Sequence, residues 1–124
     1  MVTTAEGLPP SIIEAFARGL YYVAAIDGLE PREEALLRNL LRETGSTLEF
    51  DDLGKGPYGP EDVALVLETS FLRRVFIRAA VAMVKADGRF TDGERRALGE
   101  IADAFGMSNR EFGELEQEAA GVAL

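Results

Sequence analysis

The sequence predicts an all-α protein: a compact bundle of about six helices built from two helix–turn–helix repeats related by a pseudo-twofold. Three observations carry that prediction. A phrase recurs about 60 residues apart, AAIDGLEPREEALLRNLLRETG over 24–45 and MVKADGRFTDGERRALGEIADAFG over 83–106, and a recurrence of this length marks a duplicated supersecondary unit. Apolar residues recur at helical spacing, and no alternating run is flanked by hairpin turns. Each apolar run opens on a helix-starting residue and closes on glycine.

The elements follow in order. Residues 1–10 form a lead-in closed by Pro9-Pro10. Ser11 with Glu14 three residues on reads as a capping box. Ile12 to Ile26 is apolar on nearly every face, the mark of a central buried helix, with Tyr21 and Tyr22 as core aromatics. Gly28 stops it. Pro31 suits the first turn of the next helix, and Glu33 and Glu34 suit its positive end. Leu36, Leu37, Leu40 and Leu41 form its apolar stripe, Arg38 and Arg42 its wet face, and Gly45 its end. The stretch STLEFDDLGKGPYGP over 46–60 reads as a connector, or as a partner-binding loop if Phe50 and Tyr58 stand exposed.

Pro60, Glu61 and Asp62 open a short helix, and Ser70 can cap the one after it. Phe71 to Ala86 is the second central helix, with Phe71, Leu72, Val75, Phe76, Ala79, Ala80, Val81, Met83 and Val84 as its apolar set. Thr91 and Glu94 form a second capping box, before a helix that turns Ala97, Leu98, Ile101, Ala102 and Phe105 inward and ends at Gly106. Ser108 and Glu111 form a third, with Phe112 and Leu115 facing the core. The chain thus reads as a single domain over 1–124, with repeat 1 over about 11–45, the connector over 46–60 and repeat 2 over about 61–120.

Composition narrows the chemistry. The chain has 124 residues, enough for a real core, with 22 acids against 13 bases and a net charge of -9. Nucleic acid and anionic lipid need clustered Lys and Arg and are not expected partners; cations or a basic protein surface are. Cys, His and Trp are absent. Thiolate and imidazole chemistry are thereby excluded, and any metal must take oxygen ligands, which suits Ca, Mg or Mn. The N-terminal residues have no basic region followed by an apolar run, and no stretch of about 20 apolar residues occurs, so a cytoplasmic protein without direct membrane insertion is expected.

The Asp-Gly…Glu phrase invites comparison with a calcium-binding EF-hand loop. Asp87-Gly88, Phe90 and Glu94 fit its later positions, as Asp27, Gly28 and Glu34 do in the first copy. The first and third ligand positions fail, since Met83 and Lys85 stand there in one copy and Val23 and Ala25 in the other. A looser divalent site could gather Asp27, Glu33, Glu34, Asp87 and Glu94, with Glu30 and Asp92 beside them, if the repeats meet back to back. The plainer reading is that acids beside helix starts stabilise those starts. Ser11, Ser70 and Ser108 all read as caps, and Gly54-Lys55-Gly56 lacks the spacing of a phosphate loop. No enzyme is expected; a hydrolase would require a pocket lined by paired acids.

The pattern of apolar helix, Ala-(x)-Asp-Gly, turn, Glu, Leu-rich helix and Gly-Met-Ser-x-x-Glu-Phe resembles the TerB-like family, which includes the tellurite-resistance protein and the N-terminal part of a membrane co-chaperone. The strongest stretch is 81–115, with Lys85-Ala86-Asp87-Gly88, Glu94 and Gly106-Met107-Ser108. A weaker match covers 16–45. The resemblance implies an all-α fold with an internal pseudo-twofold, a bacterial cytosolic role in stress response, and assembly with membrane-associated partners. It implies as well that Asp27, Glu33 or Glu34, Asp87 and Glu94 match recurring acids that bind a divalent cation. The first copy is one residue shorter in the turn and carries Pro31 there. Tellurite is an oxyanion, and an acidic chain without Cys is poorly suited to bind or reduce it. The function expected is a non-enzymatic helical interaction module with an acidic surface, a protein partner or a second copy as its ligand, and divalent cation binding near the Asp-Gly turns. A Ca or Mg sensor or buffer is the alternative, and a small carboxylate-based hydrolase the second.

Overall fold

Proline sets where three of the helices begin. α1 (Pro10–Ala25), α2 (Pro31–Glu43) and α3 (Pro60–Val66) each have it in their first turn, where its fixed φ suits the helix and its missing N–H leaves nothing unbonded. Then come α4 (Ser70–Val84), α5 (Asp92–Ala104) and α6 (Asn109–Ala120). The structure, a computed structural model, describes residues 9–56, 58–84 and 91–120, with side chains through 118 in α6. Among the described residues it is all-helical, with a short 3-10 turn at Phe50–Gly54 between α2 and α3.

α1 and α4 supply most of the core, through Ala17, Leu20, Val23 and Ala24 on one and Phe76, Ile77, Ala80, Val81 and Val84 on the other. The Phe76 ring lies at the centre, edge-on to Phe16 at 5.6 Å and to Phe105 at 6.0 Å, arrangements that favour aromatic pairs. α1 packs on α5 and α2 on α4, so contacts run across the two halves of the chain; α3 rests on α1 and α5, and α6 on α4.

The second helix of each half closes in the same way. At the end of α2, the Ser46 amide donates to the Leu41 carbonyl at 3.0 Å and the Gly45 amide to Arg42 at 3.2 Å. At the end of α5, the Met107 amide donates to Ala102 at 3.0 Å and the Gly106 amide to Asp103 at 2.9 Å. Both are Schellman closures, which require a left-handed residue; Gly45 and Gly106 supply it at φ of 68° and 76°.

Several expectations are corrected. Ser11 does not open α1: the helix starts at Pro10, and Glu14 pairs with Arg18 at 2.8 Å instead of reaching back. Ser70 is not the cap of α4; Thr69 Oγ1 accepts from the Leu72 amide at 3.1 Å. The Thr91–Glu94 box forms in both directions, each bond 3.0 Å. Ser108 caps α6 by accepting from the Glu111 amide at 3.1 Å, while the Glu111 carboxylate turns to Arg74 at 2.7 Å.

Around its 3-10 turn the 46–60 connector packs on α1 and α2. Leu53 is buried, Phe50 stands edge-on to Tyr21 at 5.8 Å, and the Arg38 guanidinium lies 4.6 Å over the Phe50 ring. Tyr58 is half-buried under Arg18. Both rings are thus partly buried against the body of the protein. Phe71, expected in the core, is 72% exposed. Helix phase explains it: α4 buries 76, 77, 80, 81 and 84, whereas Phe71 falls two turns before Arg78, on the wet face.

Candidate functional site

The acids proposed as metal ligands are placed as follows. Glu33 is buried at 1% exposure and its Oε1 accepts from the Glu30 amide at 3.0 Å. Glu94 is buried at 4% and its Oε1 accepts from the Thr91 amide, again at 3.0 Å. The two glutamates thus play one part in the two halves, each reading back to the amide that opens its own helix. Asp52 and Asp62 do the same for the 3-10 turn and α3, accepting from Glu49 at 2.9 Å and Gly59 at 2.8 Å. The Glu49 amide, then the Lys55 ammonium, hold the Asp52 carboxyl below its ordinary value. Glu34 pairs with Arg38 at 2.8 Å.

Asp27 leaves its own half. Its carboxylate accepts from the Thr91 hydroxyl and lies over Gly93, at the positive end of α5. Asp87 falls outside the described residues. The fold therefore brings Asp27 to the Thr91–Glu94 corner. Among the described residues no three acids come together to hold a metal ion.

A different acidic feature emerges from the packing of α3 on α5. An open cleft of about 580 Å³ is lined by Gly59, Pro60, Glu61, Asp62, Glu100, Asp103 and Ala104. A second hollow of about 490 Å³ shares Glu61 and Ala104 with it and runs on to Ala64, Leu65 and Arg73. Together they make one groove with acidic walls and an apolar end. Leu65 is 72% exposed there, because Val63 in α3 and Leu67 just past its end take the inward side. Tyr22 stands beside the acidic end and donates its hydroxyl to Glu100 at 2.8 Å; burial first, then this bond, raises its pKa above the ordinary 10.0.

Arg73 closes the other end. Its guanidinium donates to the carbonyls of Leu67, Ala64 (3.1 Å) and Phe105 (2.9 Å) and lies 5.1 Å over the Phe105 ring. It satisfies the last carbonyls of α3 and α5 together, where a cation is favourable. The sequence reading gave Glu61 and Asp62 only a helix-starting role and assigned Glu100, Asp103, Leu65 and Arg73 none. The available signal was weak: Glu100 and Asp103 lie three apart on the wet face of an amphipathic helix, as most surface acids do.

Compared with known proteins, the chain matches no family model, no curated protein and no solved structure. No helix of the described residues is long and apolar enough to cross a membrane.

Proposed function

We propose that the chain is a non-enzymatic helical interaction module of TerB-like type, which binds a protein partner through the corner formed by α3 and the start of α4. The observation that carries this reading is the exposure of Leu65 and Phe71, each at 72%, on elements whose other large apolar side chains are packed. Contiguous exposed apolar surface marks interaction sites, and Leu65 and Phe71 flank the short link between α3 and α4. The TerB-like assignment rests on the phrase over 81–115 and on the equal parts played by Glu33 and Glu94. Stress response, cytoplasmic placement and a membrane-associated partner come with that resemblance and are proposed with it.

The acidic cleft gives the hydrolase alternative its one observation, a hollow of sufficient size lined by several acids. Two of those acids hold structural donors: Asp62 the Gly59 amide and Glu100 the Tyr22 hydroxyl. A paired acid and base would need Glu61 and Asp103, which face open solvent. The interaction reading needs no such pair.

The test places a photoreactive amino acid at 65, at 71 and, as control, at exposed position 42, in the cells that make the protein. Covalent adducts at 65 and 71 beyond those at 42 are expected. An adduct of twice the chain's mass identifies a second copy as the partner. Equal labelling at all three positions refutes the reading.

A further inference from the structure

The groove between α3 and α5 has walls rich in acids and an end that carries an exposed leucine, and this combination specifies a ligand more narrowly than exposed leucine does. Outside the groove, Glu14, Glu34, Asp52, Glu111, Glu118, Glu116 and Glu114 each lie within 4.0 Å of an Arg or Lys nitrogen, while among the described residues Glu43, Glu49, Asp51, Glu68 and Asp92 have no such base beside them. The acids of the groove belong to the second group and line a hollow beside an exposed leucine. Among the described residues no Lys or Arg pairs with Glu61, Glu100 or Asp103. The one base in the wall, Arg73, turns its guanidinium to the carbonyls of Ala64, Leu67 and Phe105. The groove therefore sets three carboxylates without a basic partner beside the exposed side chain of Leu65.

We propose that this groove docks a basic amphipathic segment of the partner protein, with an apolar side chain seated on Leu65 and Ala104 and Lys or Arg side chains meeting Glu61, Glu100 and Asp103. The inference rests on the interaction-module reading and names the chemistry of its partner. Three features select a segment of this kind. The carboxylates are spread along a groove and do not converge on a point, which suits successive side chains on a helix or strand and not a single metal ion. The apolar end lies beside the acids, so a ligand needs both kinds of side chain to fill it. The cleft is open along its length, so a segment can enter from the side. Charge complementarity of this type raises the association rate and fixes orientation, while the apolar contact retains the ligand.

The experiment uses the full chain and three labelled synthetic peptides, read by fluorescence anisotropy: an amphipathic Lys–Leu helix, its Glu–Leu counterpart, and a Lys–Ser peptide without apolar side chains. The Lys–Leu peptide is expected to bind at least about tenfold more tightly than either of the others, and to weaken as salt is raised. Asp103→Lys and Leu65→Ser are each expected to weaken it by at least about tenfold, a typical loss for a central contact. Both positions are exposed, and Lys in the last turn of α5 suits the helix end, so these variants keep the fold. Glu43→Lys, an equal charge change on exposed α2 surface, is expected to leave binding unaltered. Equal losses in Glu43→Lys and Asp103→Lys overturn the proposal, because net charge alone then explains the binding. Glu–Leu binding as tight as Lys–Leu overturns it too. If Leu65→Ser then abolishes both, the apolar module survives and only the basic partner is lost.

Discussion

The carboxylate of Asp27 lies where a side chain on Gly93 would have to stand: a β-carbon built on Gly93 comes 2.6 Å from Asp27 Oδ1 and 2.7 Å from its Cγ. Asp27 belongs to the turn after α1, and Gly93 to the first turn of α5, so an acid of the first half serves the helix start of the second. Gly93 leaves the room, Thr91 gives the hydroxyl, and the positive end of α5 favours the charge.

That relationship predicts the loss of a usual gain. In a helix, Gly→Ala normally stabilises by about 0.5–1 kcal/mol. Gly93→Ala is expected to show no such gain in the wild type, because the carboxylate must leave its place. In an Asp27→Ala background the gain should return in full. A double-mutant cycle by urea unfolding reads the coupling, expected at about 1 kcal/mol; additivity of the two substitutions would mean the carboxylate does not occupy that space.

Glu33 and Glu94 should respond alike, and their response separates capping from metal binding. Each accepts one backbone amide, so Glu→Ala at either position should cost about 1–2 kcal/mol, while Glu→Gln keeps an acceptor and should recover most of that loss. A cation ligand behaves otherwise: Gln then does as badly as Ala, and millimolar Ca, Mg or Mn raises the wild-type melting temperature. Thermal unfolding in EDTA and in each cation distinguishes the two.

Arg73 makes three charge-assisted bonds to carbonyls at two helix ends. Arg73→Met keeps much of the apolar stem but leaves those carbonyls without their donor, and should cost about 2–4 kcal/mol. Arg73→Lys should be intermediate, because a point charge cannot reproduce the planar fork. Denaturant midpoints at constant m-value give both numbers. A loss under half a kcal/mol for Met would mean that water replaces the guanidinium without penalty.

α6 is tied to its neighbours by Arg74–Glu111, Arg78–Glu118 and Arg95–Glu116. Exposed pairs contribute roughly 0–1 kcal/mol and weaken with salt. The Glu116 side chain is only 12% exposed, against 35% and 54% for the other two glutamates, so Glu116→Gln should loosen α6 most. Amide hydrogen exchange along 109–118 should quicken in that variant more than in Glu118→Gln, and raised salt should narrow the difference between Glu118→Gln and wild type.

Tyr22 and Tyr58 both titrate above the ordinary tyrosine value of 10.0, chiefly through burial, aided by Glu100 for the first and by Glu14 and Asp62 for the second. A raised folded-state pKa means the folded chain holds the proton more tightly than the unfolded one. The associated stability is complete below 10.0 and is lost as pH rises through the folded value. Phenolate absorbance should show a late-titrating component that shrinks in Tyr22→Phe and again in Tyr58→Phe.

Much of the helical layout was legible because its signals are local. Thr91 and Glu94 lie within one turn of each other, and so do Gly106 and the carbonyls it closes on. The same locality misled at Ser11 and Ser70, where a proline and Thr69 began the helix in their place. At Phe71 phase outweighs apolarity, and the glycines and prolines around Phe50 and Tyr58 give no sign of the packing those two rings make.

The sequence by itself determined the helical class, the repeated helix–turn–helix phrase, the glycine closures of α2 and α5, and the acid at the third position of each second helix. These depend on backbone geometry and on residues within one turn. Only the tertiary structure decided that Asp27 serves α5, that Arg73 joins the ends of α3 and α5, that Leu65 and Phe71 face outward, and that unpaired acids gather along the α3–α5 groove. Those outcomes depend on how each helix is rotated and placed against its neighbours, and that rotation is set by the simultaneous burial of every apolar face around Phe76, which no single segment specifies.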